Sequence, residues 1–62
     1  SNKSASDMVL DVIRRSRKED GIAFAEIKSK TGFGEKKLRN IIFRLDKLNR
    51  IKRVGRGVYA SV

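Results

Sequence analysis

The sequence contains no cysteine and no histidine. Their absence excludes disulfides, zinc sites built on those residues and any catalysis that needs a thiolate or an imidazole. No apolar run approaches the roughly 18 residues that cross a bilayer, and no secretory h-region is visible. Acidic residues are few and scattered, no glycine loop is arranged to cradle phosphate, and the Ser and Thr hydroxyls lack a histidine base. The expectation is therefore a protein that is not an enzyme, with no catalytic residues, no cofactor, no metal, no membrane and no small-molecule substrate. Repeats and low-complexity segments are also missing.

What remains is 62 residues that must hold a fold by packing alone. A chain this short buries only about 60% of its unfolded surface. It does not begin with Met, and its single methionine is Met8. The expectation is an excised domain, with residues 1–4 a disordered tail or cloning remnant and residues 5–62 the folded unit, its neighbouring domains lying outside this chain.

Charge is abundant, and it is unevenly placed. The net charge is +9, from 16 Lys plus Arg against 7 Asp plus Glu. Residues 1–34 carry seven basic and five acidic side chains, a net of +2, whereas residues 35–62 carry nine basic and two acidic, a net of +7. That asymmetry is the electrostatic footprint of a polyanion binder.

The most informative stretch is Gly34 to Leu48, GEKKLRNIIFRLDKL. On a helix advancing roughly 100° per residue, Leu38, Ile41, Ile42, Leu45 and Leu48 form one apolar stripe. Lys36, Arg39, Asn40, Phe43, Arg44 and Lys47 gather on the other side, with Lys37 near the border. One face requires a core and the other suits a polyanion.

The remainder of the chain supplies the core. Ser4-Ala5-Ser6-Asp7 has the spacing of a capping box, so a first helix is expected over residues 5–17. Met8, Val9, Val12 and Ile13 form its apolar face, and Glu19-Asp20-Gly21 reads as the turn that follows. Arg14, Arg15, Arg17 and Lys18 fall in its last turn, where the helix dipole favours cations. Ile22-Ala23-Phe24 suits a brief strand, and a short second helix is expected over 25–31, with Ile27 pointing inward. Gly32-Phe33-Gly34 is a tight turn with Phe33 as a plug between helices, and Gly34 can cap the third helix, expected over 35–49.

After Asn49-Arg50 the pattern changes to two β-rich runs, Ile51–Val54 and Val58–Val62, around the turn signal Gly55-Arg56-Gly57. A two-residue loop at Arg56-Gly57 would set Val54 opposite Tyr59 and Ile51 opposite Val62. The expected core is Val9, Val12, Ile13, Ile27, Phe33, Leu38, Ile41, Ile42, Leu45, Leu48 and Ile51.

Helix, short strand, short helix, glycine turn, long basic helix and hairpin, in this order, resemble the winged helix-turn-helix superfamily. The residues that carry the resemblance are Ala25-Glu26-Ile27, Thr31-Gly32-Phe33-Gly34, the stripe Leu38, Ile41, Ile42 and Leu45, and Ile51 with Val54-Gly55-Arg56-Gly57-Val58-Tyr59. One departure is Lys28, where the superfamily keeps a small residue. The resemblance implies an α+β fold of three helices plus a C-terminal two-stranded β-hairpin wing. It also implies that the third helix (35–49) enters the major groove of double-stranded DNA while the wing (51–62) touches adjacent backbone.

Within that frame Arg39 and Asn40 are the candidates for base edges, because Arg can be bidentate to guanine and Asn to adenine. Lys36, Lys37, Arg44 and Lys47 are candidate phosphate contacts, and Arg56 with Lys52 and Arg53 would clamp the flanking backbone. Phe43 is a large apolar residue turned away from the core, and it completes the candidate DNA-binding set. Phe43 and Tyr59 also match the two aromatics of the Z-form nucleic-acid-binding subfamily. There, however, Arg39 replaces an Asn, and Arg56-Gly57 replaces Pro-Pro.

The expected function is a DNA-binding module of a transcription regulator or a larger DNA-processing protein, inside the cell. The alternatives are a protein-interaction winged helix in a multi-subunit complex, and binding of RNA or Z-form nucleic acid.

Overall fold

The first helix begins where its cap requires. In the computed structural model, which describes residues 4–16 and 21–62, α1 runs Ala5–Arg15 with Ser4 as N-cap. Both halves of the capping box form. The Asp7 backbone N–H donates to Ser4 Oγ at 3.1 Å, and the Ser4 N–H donates to Asp7 Oδ2 at 3.4 Å. Such a cap satisfies donors that a helix start otherwise leaves unpaired. Ser16 closes the helix, its N–H reaching the Ile13 carbonyl at 3.3 Å. The expected continuation to Arg17, the Lys18 cation and the Glu19-Asp20 part of the turn lie outside the described residues.

The apolar face of α1 is rotated from the expected one. Val9, Leu10 and Ile13 are buried, Val12 packs partly against the core, and Met8 is 40% exposed. The stripe centres between Val9 and Ile13, so Leu10 falls inside it and Met8 at its edge.

After Gly21 come β1 (Ile22–Ala23) and α2 (Phe24–Thr31). Phe24, expected in the strand, is the first residue of the helix instead. Its N–H is bonded to the Gly57 carbonyl at 2.8 Å. Gly32 ends α2 in the left-handed region (φ 77°), which brings its N–H to the Lys28 carbonyl at 2.8 Å. A residue with a Cβ enters that region at a cost, and glycine does not. The Thr31 hydroxyl bridges the turn, donating to the Ile27 carbonyl at 2.8 Å and accepting from the Phe33 N–H at 3.4 Å. Phe33 is half-buried against the core, a lid on it rather than a member of it.

Helix α3 (Glu35–Lys47) starts at Gly34, an N-cap that offers no side-chain bond, and buries Leu38, Ile41, Ile42 and Leu45. It stops short of the expected residue 49. Asn49 takes φ 59°, and the chain reverses through two bonds of a Schellman motif, Asn49 N–H to Asp46 carbonyl and Arg50 N–H to Leu45 carbonyl, both 3.0 Å. Leu48 is thereby carried off the stripe and is 60% exposed, so it is not the core residue that its spacing suggested.

The hairpin consists of β2 (Ile51–Gly55) and β3 (Val58–Ser61), with Arg56 and Gly57 in the turn as expected. Its register differs from expectation by one residue. Gly55 pairs with Val58, but Arg53 pairs with Tyr59 and Ile51 with Ser61, because Val54 is an extra residue at a β-bulge. The hairpin is also not the whole sheet. Strand β1 pairs with β3 (Ile22 with Tyr59, Ala23 with Val58), giving three antiparallel strands in the order β1-β3-β2.

Among the described residues the fold is thus α+β, three helices and a three-stranded antiparallel sheet, rather than three helices and an isolated two-stranded hairpin. Its core is Val9, Leu10, Ile13, Ile22, Ile27, Leu38, Ile41, Ile42, Leu45 and Ile51, all aliphatic and drawn from every element except β3. No helix among the described residues is long and apolar enough to cross a membrane.

Candidate nucleic-acid interface

The inward stripe of α3 dictates what its other face carries. With Leu38, Ile41, Ile42 and Leu45 buried, Lys36, Lys37, Arg39, Asn40, Phe43, Arg44 and Lys47 are all exposed. Lys52, Arg53 and Arg56 are exposed on the hairpin. Among the described residues, no carboxylate lies within ion-pair distance of Lys36, Lys37, Arg44, Lys47, Lys52, Arg53 or Arg56. Their charge is therefore uncompensated at short range.

These side chains do not form one flat patch. Lys36, Lys37, Asn40 and Arg44 border a hollow of about 830 Å³ between the α3 face and the start of α1, whose Ser4, Ala5 and Ser6 form the opposite rim. Arg39, Phe43 and Asp46 border a second hollow of about 520 Å³ toward the hairpin, where Phe24, Arg53, Gly57 and Tyr59 complete it over Ile42. Phe43 also borders a third depression, of about 500 Å³, with Asn40, Arg44, Lys47 and Leu48. It stands as a ridge between two hollows, 61% exposed.

Several of the cations are positioned by rings. The Lys37 ammonium lies 4.7 Å from the centroid of Phe33, the Lys47 ammonium 5.0 Å from that of Phe43, and the Arg39 guanidinium 5.9 Å from that of Phe24. Cation–π contacts at exposed sites contribute about 0.5–1 kcal/mol, enough to bias a rotamer without fixing it. Arg39 is held further by Glu35, with Nη2 and Oε2 3.2 Å apart one helical turn away. That pair is well exposed, and i,i+4 pairs of this kind contribute about 0.3–0.5 kcal/mol. Glu35, unfavourable to phosphate on its own, is therefore neutralised locally, and its hold on Arg39 is weak.

On the hairpin the candidates separate. Arg53 lines the hollow beside α3, its Nε–H donating to the Gly55 carbonyl at 3.3 Å across the bulge. Lys52 is the next residue along the strand, and its side chain belongs to the other face of the sheet. Arg56 is exposed in the turn. The structure brings together Arg39, Phe43 and Arg53 on one side of α3, and Lys36, Lys37, Asn40 and Arg44 on the other.

Two contributors to the hairpin-side hollow are not singled out by the sequence. Phe24 reads as part of a strand, and only its place as first residue of α2 turns it toward Arg39. Asp46 reads as a solvated acid between cations. Tyr59 shares the hollow with Phe43, but no ring contact joins the two among the described residues.

The chain matches no protein-family model, and neither a curated protein nor a solved structure is significantly similar to it. The chemistry of this face is then the guide to what it binds.

Proposed function

We propose that the chain is a winged helix-turn-helix domain that binds double-stranded DNA. In this reading α2 and α3 are the helix-turn-helix pair, α3 enters the major groove, and the β2–β3 hairpin is a wing that lies on the adjacent backbone. The observation that carries it is the exposed, uncompensated cationic face of α3 flanked by an arginine-bearing hairpin. The three-residue Gly32-Phe33-Gly34 connection between α2 and α3 suits such a pair. A helix about 10–12 Å across fits a major groove about 12 Å wide.

Lys36, Lys37, Arg44 and Lys47 then neutralise phosphates and displace counterions, which supplies affinity without sequence preference. Arg39 and Asn40 meet base edges, and Arg53 and Arg56 engage the flanking strand. The parent protein would be a transcription regulator or a DNA-processing protein.

The test is a salt-dependent anisotropy titration against duplex DNA, single-stranded DNA and duplex RNA in parallel. Duplex DNA binding is expected to weaken with a log–log slope near −0.9 per phosphate contacted. Arg56→Ala is expected to weaken all sequences alike and make the slope shallower by about one unit. Arg39→Ala is expected to reduce discrimination between sites by about 1–3 kcal/mol. Binding that ignores salt, or equal losses from Arg14→Ala on α1 and Arg56→Ala, would replace this reading with a protein-interaction domain.

A further inference from the structure

The hollow between α3 and the hairpin has the wrong composition for a simple phosphate contact. Phosphate is served by cations and N–H donors, and on the opposite side of α3 the carboxylate at the rim, Glu35, is paired with Arg39. Here Phe24, Phe43 and Tyr59 contribute aromatic rings, Arg39 and Arg53 contribute guanidinium groups, and Asp46 contributes a carboxylate. Among the described residues that carboxylate has no ion-pair partner. It offsets part of the charge of the two guanidinium groups and so weakens the hollow as a phosphate site. Rings, planar guanidinium groups and a lone acceptor are instead what the face and the edge of a nucleobase require.

The geometry sharpens this. One side of Phe43 carries the Lys47 ammonium at 5.0 Å, and the same residue lines the hollow shared with Tyr59. Its 61% exposure leaves a ring available that no other aromatic covers. Arg39 is already held near Phe24, and both border the same hollow as Phe43. At about 520 Å³ the hollow lies within the range of roughly 300–1,000 Å³ typical of small-molecule sites. Asp46 accepts from an exocyclic amine, as acidic side chains do from cytosine N4.

We infer that this hollow receives one unstacked nucleobase bearing an exocyclic amine, so that the domain prefers DNA with an unpaired cytosine to perfect duplex. The inference rests on the DNA-binding reading, and it specifies the form of DNA that the α3–hairpin side selects. Arg53 and Arg56 hold the backbone that flanks the extruded nucleotide, Phe43 stacks on the base, and Asp46 reads its amine.

The experiment compares four duplexes of one sequence at fixed salt: perfect, with a single extrahelical cytosine, with a thymine at that place, and with an abasic residue at that place. The cytosine bulge is expected to bind at least about fivefold more tightly than the perfect and abasic duplexes. In Phe43→Ala the ratio of bulged to abasic affinity is expected to fall to about one, whatever the affinity for perfect duplex. In Asp46→Ala the preference for cytosine over thymine is expected to vanish while the preference for a base over an abasic residue persists. Both positions are exposed on α3, so circular dichroism should report folded variants.

Equal affinity for cytosine-bulged and abasic duplexes overturns the inference, because deformability of the site then explains any preference. A bulge preference that survives in Phe43→Ala also overturns it, and in both cases duplex binding still stands. Absence of salt-dependent binding to all four duplexes overturns the inference together with the DNA-binding reading.

Discussion

Replacing Gly21 with alanine tests the packing of the sheet against a single methyl group. Gly21 is buried just before β1 with φ 86°, and a Cβ built there would lie 2.7 Å from the Tyr59 carbonyl oxygen and 2.7 Å from Val54 Cγ2. It would also lie 2.9 Å from Val58 Cγ1. The carbonyl belongs to the backbone of the central strand and cannot swing aside, and the β-branched Val54 and Val58 move their methyls only by changing rotamer. Left-handed backbone costs an L-residue about 1–2 kcal/mol, and forcing a methyl group into a filled site costs about 1–3 kcal/mol. Together these give about 2–5 kcal/mol, against a total of roughly 3–9 kcal/mol for a domain of this size.

Gly32→Ala is the matched control. Gly32 also has positive φ (77°), but a Cβ there meets nothing within 4 Å. The two variants share the backbone strain and the effect of alanine on the unfolded chain, so those contributions largely cancel in the comparison. What remains is the steric cost at Gly21. Urea titrations followed by far-ultraviolet circular dichroism should place the Gly21→Ala midpoint lower than that of Gly32→Ala by about 1 M or more. Coincident midpoints would show that β1 and the bulge do not close over Gly21, and the three-stranded sheet would have to be abandoned.

Leu45→Ala should lower stability by about 2–5 kcal/mol, because Leu45 is buried on the α3 stripe, whereas Leu48→Ala should stay within about 0.5 kcal/mol. Thermal melts of the two variants check this, and similar losses would refute the early end of α3 at the Asn49 reversal. Ser4→Ala removes the side-chain acceptor for the Asp7 N–H and should cost about 1 kcal/mol. At about 4–8 °C per kcal/mol for domains of 60–100 residues, that loss is readable as a drop in melting temperature; an unchanged melting temperature would mean that the cap contributes nothing to the domain.

Features that depend on short sequence separation were legible in the chain. The α3 stripe, the Ser4–Asp7 box and the Arg56-Gly57 turn are each written in a few consecutive residues, and each is found. Several of the misses depend on the partner rather than the pattern. Nothing local says that two residues, Ile22 and Ala23, find an edge of β3, so the sheet was expected to be a hairpin alone. Val54 alternates like any strand residue, and only its pairing reveals the bulge. Leu48 has the right spacing for the core, but Asn49 accepts a left-handed conformation and turns the chain before the stripe reaches it. The same division holds for the interface. The exposed cations of α3 follow from its periodicity, while Phe24 and Asp46 join Phe43 in one hollow only because α2, α3 and the hairpin converge there.

The strand order has a consequence for how the molecule is made. Strands β1 and β2 each pair with β3 and not with each other. A ribosome delivers them first, so each waits with its hydrogen-bonding edge unpaired until residues 58–61 arrive. The final strand joins the two halves of the chain through both ladders, and the Gly57 carbonyl just before it anchors the start of α2. Helices can form as the chain emerges, since their bonds are local, but the sheet cannot grow strand by strand. It closes in one event, once residues 58–61 have emerged, and the hairpin side of the α3 face comes into existence only then.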